Sequence, residues 1–223
     1  MKALDAAQVF DFESRAAASF RASKALKVGI VGFGTFGQFL AKRILRHGHS
    51  VRPPPAARPP HAPCTMRRAQ PRRRAQVIAV SRGDYHRQAS ELGAEYFTDV
   101  DDFAEQHPDV VILASSILST RAVLDGLPLQ RFKRSTMFVD VLSVKVFPKR
   151  LLLDRLPPSM DILCTHPMFG PDSGKGAWAG LNFQYEKVRL APGKERAKRM
   201  DAFLEVRAHC ASSLCVPVHR AAR

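Results

Sequence analysis

Apolar runs of strand length alternate along this chain with stretches whose apolar residues recur at helical spacing. The first run is Leu26 to Val31, followed by Gln38 to about Arg46, with Phe39, Leu40, Ile44 and Leu45 on one face. Strand signal resumes at Val77-Ile78-Ala79-Val80. Beyond it the pattern predicts a helix from Tyr85 to Leu92 ended by Gly93, a short strand from Glu95 to Phe97, and a short helix from Val100 to Gln106. A buried strand over 110–114, a helix over 120–127, a strand over 137–141 and a helix over 147–156 follow. Strands at 162–164 and 188–190 and a charged helix from Lys194 to Glu205 complete the series. Strands alternating with helices specify a doubly wound α/β fold, a mostly parallel sheet covered on both faces. Ligands in such sheets bind beyond the carboxyl ends of the strands.

The first strand runs into Gly32-Phe33-Gly34-Thr35-Phe36-Gly37, a Gly-x-Gly-x-x-Gly turn that opens a helix. Strand, tight turn and helix are the context in which this pattern reads as a dinucleotide fingerprint of the Rossmann type. Gly32 permits the turn, Gly34 lets backbone approach a pyrophosphate, and Gly37 lets helix and strand pack closely. Phe33, Thr35 and Phe36 belong to the same expected cofactor cradle, and the helix start offers free N–H groups to the phosphates.

A residue at the end of the second strand reads the adenosine ribose. Here Ser81-Arg82-Gly83-Asp84 stands at that place. Arg82 suits the 2′-phosphate of NADP and Ser81 adds a hydroxyl, whereas Asp84 keeps NAD open. The spacing from the glycine turn exceeds the usual ~20 residues. The excess matches a Pro- and Arg-rich stretch over 52–76, which cannot form a packed element and reads as a disordered insertion. The chain thus divides into a polar lead-in (1–24), a nucleotide-binding domain (25–205) interrupted by 52–76, and a tail (206–223).

Composition changes this picture little. The 223 residues carry a net charge of +15, which raises nucleic acid as a partner. Seven of those charges (Arg52, Arg58, Arg67, Arg68, Arg72, Arg73 and Arg74) crowd into the insertion, and no nucleic-acid motif accompanies them, so no specific nucleic-acid partner is expected. No apolar run approaches the ~20 residues that cross a bilayer, so no membrane partner is expected. Asp5, Asp11 and Glu13 argue against a transit peptide at the start. Cys64, Cys164, Cys210 and Cys215 have no metal-site spacing, and no metal is expected.

The chemistry is expected around His166-Pro167-Met168-Phe169-Gly170-Pro171-Asp172-Ser173-Gly174, directly after the strand over 162–164. A histidine at a strand's carboxyl end faces the cofactor crevice, and its near-neutral pKa suits proton transfer beside a hydride step. Four segments in order carry a family resemblance: the glycine turn through Leu40, Ser115-Ser116-Ile117-Leu118-Ser119-Thr120, Phe138-Val139-Asp140-Val141-Leu142-Ser143-Val144-Lys145, and the His166 to Gly174 motif. Together they resemble the prephenate/arogenate dehydrogenases of the plant arogenate type. The resemblance covers about 4–51 and 77–205.

It implies NADP-dependent oxidative decarboxylation of arogenate, or of prephenate, in tyrosine biosynthesis, and a chloroplast location. The substrate ring gives its hydride to the nicotinamide and its carboxylate leaves as CO₂. By resemblance, His166 takes the proton of the ring hydroxyl, and Ser116 orients His166 or that hydroxyl, with Ser115 as the second candidate for the substrate and the cofactor. Capping of the next helix is the other reading of both serines. Asp172 would face the ammonium that distinguishes arogenate from prephenate; a surface capping role is its alternative. Asp140 and Lys145 flank a tight loop, where they could help close the nicotinamide pocket or equally form a local ion pair, and they are assigned no chemistry.

The resemblance also implies a helical domain after Glu205 that makes a homodimer and supplies a basic residue to the substrate. Residues 206–223 do not match it, so the helical and dimer-forming domain is expected to be missing, which leaves the activity of this chain open. Two other functions stay open: a noncatalytic NADP-binding remnant, and an NADP-dependent dehydrogenase of the hydroxyacid type.

Overall fold

The computed structural model describes residues 26–47, 76–175, 178 and 181–208. The lead-in over 1–24, nearly all of the expected insertion and most of the tail therefore lie outside the described residues.

In chain order the elements are β1 (Lys27–Val31), α1 (Thr35–His47), β2 (Gln76–Val80), α2 (His86–Leu92), β3 (Glu95–Phe97), α3 (Val100–Glu105) and β4 (Val110–Leu113). Then come α4 (Thr120–Asp125), β5 (Met137–Asp140), α5 (Val146–Arg155), β6 (Asp161–Pro167), β7 (Phe183–Arg189) and α6 (Lys194–Ala208). The strands form one sheet in the order β3-β2-β1-β4-β5-β6-β7. All neighbours are parallel except β6 and β7. The chain reverses its direction of strand addition between β1 and β4, and that is where a doubly wound sheet opens its ligand crevice.

The continuous apolar strands follow from burial on both faces. Val110 and Ile112 of β4, Met137 and Val139 of β5, and Leu163 of β6 join one core with Leu40 and Ile44 of α1, Ala89 of α2 and Met200 of α6. Their strand neighbours Val111, Leu113, Phe138, Ile162 and Cys164 join the other core, with Phe103 of α3, Leu124 of α4, and Leu151 and Leu152 of α5. Successive strand side chains point to opposite faces, so each strand feeds both layers.

Several boundaries differ from the sequence reading. Gly37 lies within α1, which starts at Thr35 and not at Gln38. Gln76, assigned to the insertion, pairs with Lys27 and begins β2. β6 continues through His166 to Pro167, because β7 pairs with it antiparallel from Phe183 and extends its ladder. β7 spans 183–189 with half-buried residues on both sides of the sheet, which the short apolar signal at 188–190 did not reveal. Helix α6 runs past Glu205 to Ala208, into the expected tail.

Candidate active site

The turn after β1 is built by close approach. Gly32 has φ +98°, and its N–H donates to the Val80 carbonyl at 2.9 Å, tying the turn to β2. A Cβ on Gly37 would stand 2.1 Å from the Gly32 carbonyl oxygen. A Cβ on Gly34 would meet nothing within 4 Å, so the turn presents an open backbone face there. Phe33 points away from that face into the core, with ring centroids 6.3 Å from Tyr85 and 6.1 Å from Tyr96. Only its backbone is therefore available to a ligand. Phe36 packs on Phe39 of the same helix, and Thr35 is exposed at its first turn.

Across from this turn, the loop after β2 hangs on one phenol. The Tyr96 hydroxyl donates to the carbonyls of Ser81, at 2.9 Å, and Gly83. Arg82 is exposed and makes no ion pair among the described residues. The Asp84 carboxylate is already engaged: Oδ1 accepts the His86 amide at 3.1 Å and lies 3.0 Å from His86 Nδ1. The His86 amide bond, with the ring beside it, holds the Asp84 carboxyl below the usual carboxylate value.

After β4 the two serines organise the entry to α4. Ser115 Oγ lies 3.1 Å from Thr120 Oγ1, and Ser116 Oγ lies 2.8 Å from Ser119 Oγ and accepts the Ser119 amide at 3.2 Å. The Ser116 carbonyl takes the Thr120 amide and hydroxyl at 3.0 and 2.8 Å. Both hydroxyls thus do the local turn work that the sequence left as the alternative to chemistry. No hydrogen bond joins either serine to His166.

His166 is half-buried near the end of β6, and its ring makes no hydrogen bond among the described residues. Burial pushes its pKa below the ordinary imidazole value, the Lys145 ammonium lowers it further, and Asp140 opposes both. Lys145 forms the local ion pair with Asp140 that the sequence allowed, and its reach to the backbone beside His166 is what the sequence did not reveal. It sits at the start of α5 and donates to the Asp140 carboxylate at the end of β5 and to the Thr165 carbonyl next to His166. Asp140 is wholly buried; its Oδ1 also accepts the Leu142 amide at 3.1 Å. Burial pushes its carboxyl up while Lys145 holds it down against that. The Cys164 thiol, buried beside Asp140, is pushed far up by burial first and that carboxylate second, so it stays protonated and unreactive.

The loop after β6 leans on α1. Phe169 and Trp178 lie 4.8 Å apart by ring centroid, and Trp178 lies 5.3 Å from Phe39. Asp172 does not share in this packing or in the charges around His166. Its side chain is 96% exposed and pairs with Lys175 at 3.0 Å.

The family model for the prephenate dehydrogenase nucleotide-binding domain matches residues 65–216. The chain belongs to this prephenate dehydrogenase family. Arogenate dehydrogenase 2, chloroplastic, of Arabidopsis thaliana is 47% identical over 206 residues, 92% of this chain and 50% of the relative. Arogenate dehydrogenase 1, chloroplastic, of the same plant is 45% identical over 206 residues, again 92% of this chain but 28% of the relative. The chain therefore spans half the length, or less, of these relatives. The crystal structure of prephenate dehydrogenase from Aquifex aeolicus superposes with a TM-score of 0.57 at 18% identity, over 85% of this chain and 61% of that one. That likeness concerns the fold.

As a prephenate dehydrogenase family member the chain carries a nucleotide-binding domain, which supports a nicotinamide cofactor. The open backbone at Gly34, the free start of α1 and the exposed Arg82 all lie at strand carboxyl ends, where such a cofactor fits. No helix among the described residues is long and apolar enough to cross a membrane. Exposed apolar side chains gather at the same edge of the sheet: Ile117 and Leu118 after β4, Val144 and Val146 after β5, Met168 after β6.

Proposed function

We propose that this chain is the nucleotide-binding part of an NADP-dependent arogenate dehydrogenase acting in the chloroplast. The observation that carries this reading is His166: a half-buried imidazole with no hydrogen-bond partner among the described residues, held below its ordinary pKa at the carboxyl edge of a dinucleotide-type sheet. A neutral imidazole so placed is a proton acceptor at neutral pH.

Gly32, Gly34, Thr35, Phe36, Gly37 and the Phe33 backbone would cradle the pyrophosphate. Arg82 and Ser81 would take the 2′-phosphate. The engagement of Asp84 by His86 supports NADP over NAD, because the one carboxylate near the ribose position is occupied. When bound, the nicotinamide supplies the hydride acceptor. His166 accepts the hydrogen bond of the ring hydroxyl, takes its proton as carbonyl character develops at that carbon, and returns it to the phenolate oxygen once CO₂ has left and the ring is aromatic. Lys145 keeps that imidazole neutral and fixes the Thr165–His166 backbone. Ser116 and Ser115 reach substrate or cofactor only by giving up the bonds they make to Ser119 and Thr120. Asp172 reaches an ammonium only by leaving Lys175.

The test is a pair of measurements on the chain. NADP binding is expected to exceed NAD binding, and NADP reduction with arogenate is expected to exceed that with prephenate or simple hydroxyacids once the remaining length found in the relatives is joined to it. Equal use of prephenate by Asp172→Asn and the unaltered protein would remove Asp172 from substrate choice. Failure to retain either nicotinamide nucleotide would overturn the reading.

A further inference from the structure

A second ligand site is built on the opposite helix layer from Lys145 and α5. A cleft of about 370 Å³ lies between α1, α2 and the loop after β6. Its walls include Lys42, Arg43 and Arg46 of α1, Lys175 of the loop, and the rings of Phe39 and Trp178. That volume lies within the range of small-molecule sites.

Charge in this cleft is left uncompensated. Glu91, on the α2 wall, is held by Arg87 at 2.9 Å, and Lys175 is held by Asp172. Lys42 and Arg46 pair with no acid among the described residues. They stand one helical turn apart on the same row, where like charges repel and weaken a helix. An anion between them turns that repulsion into binding. The floor is aromatic: Trp178 is 6% exposed and packs on Phe39 at 5.3 Å between ring centroids. Arg43 lies over the same ring, 5.4 Å from its centroid.

We propose that this cleft binds a phosphorylated small molecule other than the cofactor, with phosphate oxygens between Lys42 and Arg46 and the organic part against Phe39 and Trp178. Phosphate suits the cleft better than one carboxylate because its several oxygens can meet both Lys42 and Arg46 of α1.

Trp178 is the only tryptophan in the chain and reports on the site directly. Inorganic pyrophosphate is titrated into the full chain at constant ionic strength, with NADP⁺ saturating so that the turn after β1 is filled. A saturable change in tryptophan emission is expected. Its midpoint is expected to rise about tenfold or more in Lys42→Gln/Arg46→Gln, and to rise less in Lys175→Gln, while NADP⁺ binding is unchanged. These are surface substitutions, and the Lys175 variant tests the opposite wall independently. A response that vanishes under saturating NADP⁺, that never saturates, or that is the same in all three proteins would overturn the proposal. None of these outcomes depends on arogenate turnover.

Discussion

Lys145 pairs with Asp140 across the end of the sheet, a half-buried ammonium on a wholly buried carboxylate. The same ammonium caps the Thr165 carbonyl, so its charge stands beside the His166 imidazole and lowers that pKa. One lysine thus compensates a buried charge and tunes a candidate base.

Lys145→Met should therefore do two things. Leaving Asp140 buried and unpaired costs about 3 kcal/mol or more of stability, read by chemical denaturation. Adding Asp140→Asn should recover much of it, since a neutral amide has no charge to compensate. In the folded fraction of the single variant, the His166 midpoint should rise, because Asp140 then acts on it alone. A midpoint that stays put or falls would show that Lys145 does not set it.

The imidazole of His166 should titrate below 6.5 by NMR in the unaltered chain. As the pH falls through that ordinary value, the unfolded chain takes the proton first. Stability contributed by the neutral ring is then lost progressively, and the loss levels off below the folded midpoint. Rising stability on acidification over that window, traced to His166 by comparison with His166→Gln, would contradict this. In the joined enzyme, His166→Asn should lower turnover by about 10²–10⁴-fold.

The two glycines that flank Phe36 and Thr35 should respond differently to alanine. Gly37→Ala puts a methyl 2.1 Å from the Gly32 carbonyl, so backbone must shift; a loss of about 1–3 kcal/mol and of cofactor binding is expected. Gly34→Ala meets nothing within 4 Å in the protein, so the melting temperature should hold. Its NADP affinity should fall all the same, because the methyl occupies the open face of the turn. Unchanged affinity in Gly34→Ala would mean that the cofactor does not approach there.

Arg82 should discriminate between the two nucleotides. Arg82→Ala is expected to weaken NADP about tenfold or more and to leave NAD nearly untouched, measured by calorimetry. Equal loss for both would assign Arg82 to general electrostatics.

Much of this molecule was legible before folding. The glycine turn is legible because two of its glycines answer a local steric demand: a positive φ at Gly32 and a carbonyl in contact at Gly37. The alternation of buried strands with helices likewise follows from short-range periodicity. His166 was found because it ends an apolar run, although β6 carries it inside the strand and not after it. Less could be read where a side chain chooses among partners. Ser116 has its own turn to satisfy, Asp84 meets the His86 amide, and Asp172 turns out toward Lys175.

By itself the sequence determined the doubly wound sheet, the position of the glycine turn and the strand that carries His166, because backbone sterics and burial periodicity act over a few neighbouring residues. The tertiary structure alone decided that β7 runs antiparallel, that Lys145 reaches both Asp140 and the backbone beside His166, and that cations from α1 and from the loop after β6 converge on one cleft. Those relations join residues far apart in the chain, and only the register and order of the strands bring them within range of each other's charge.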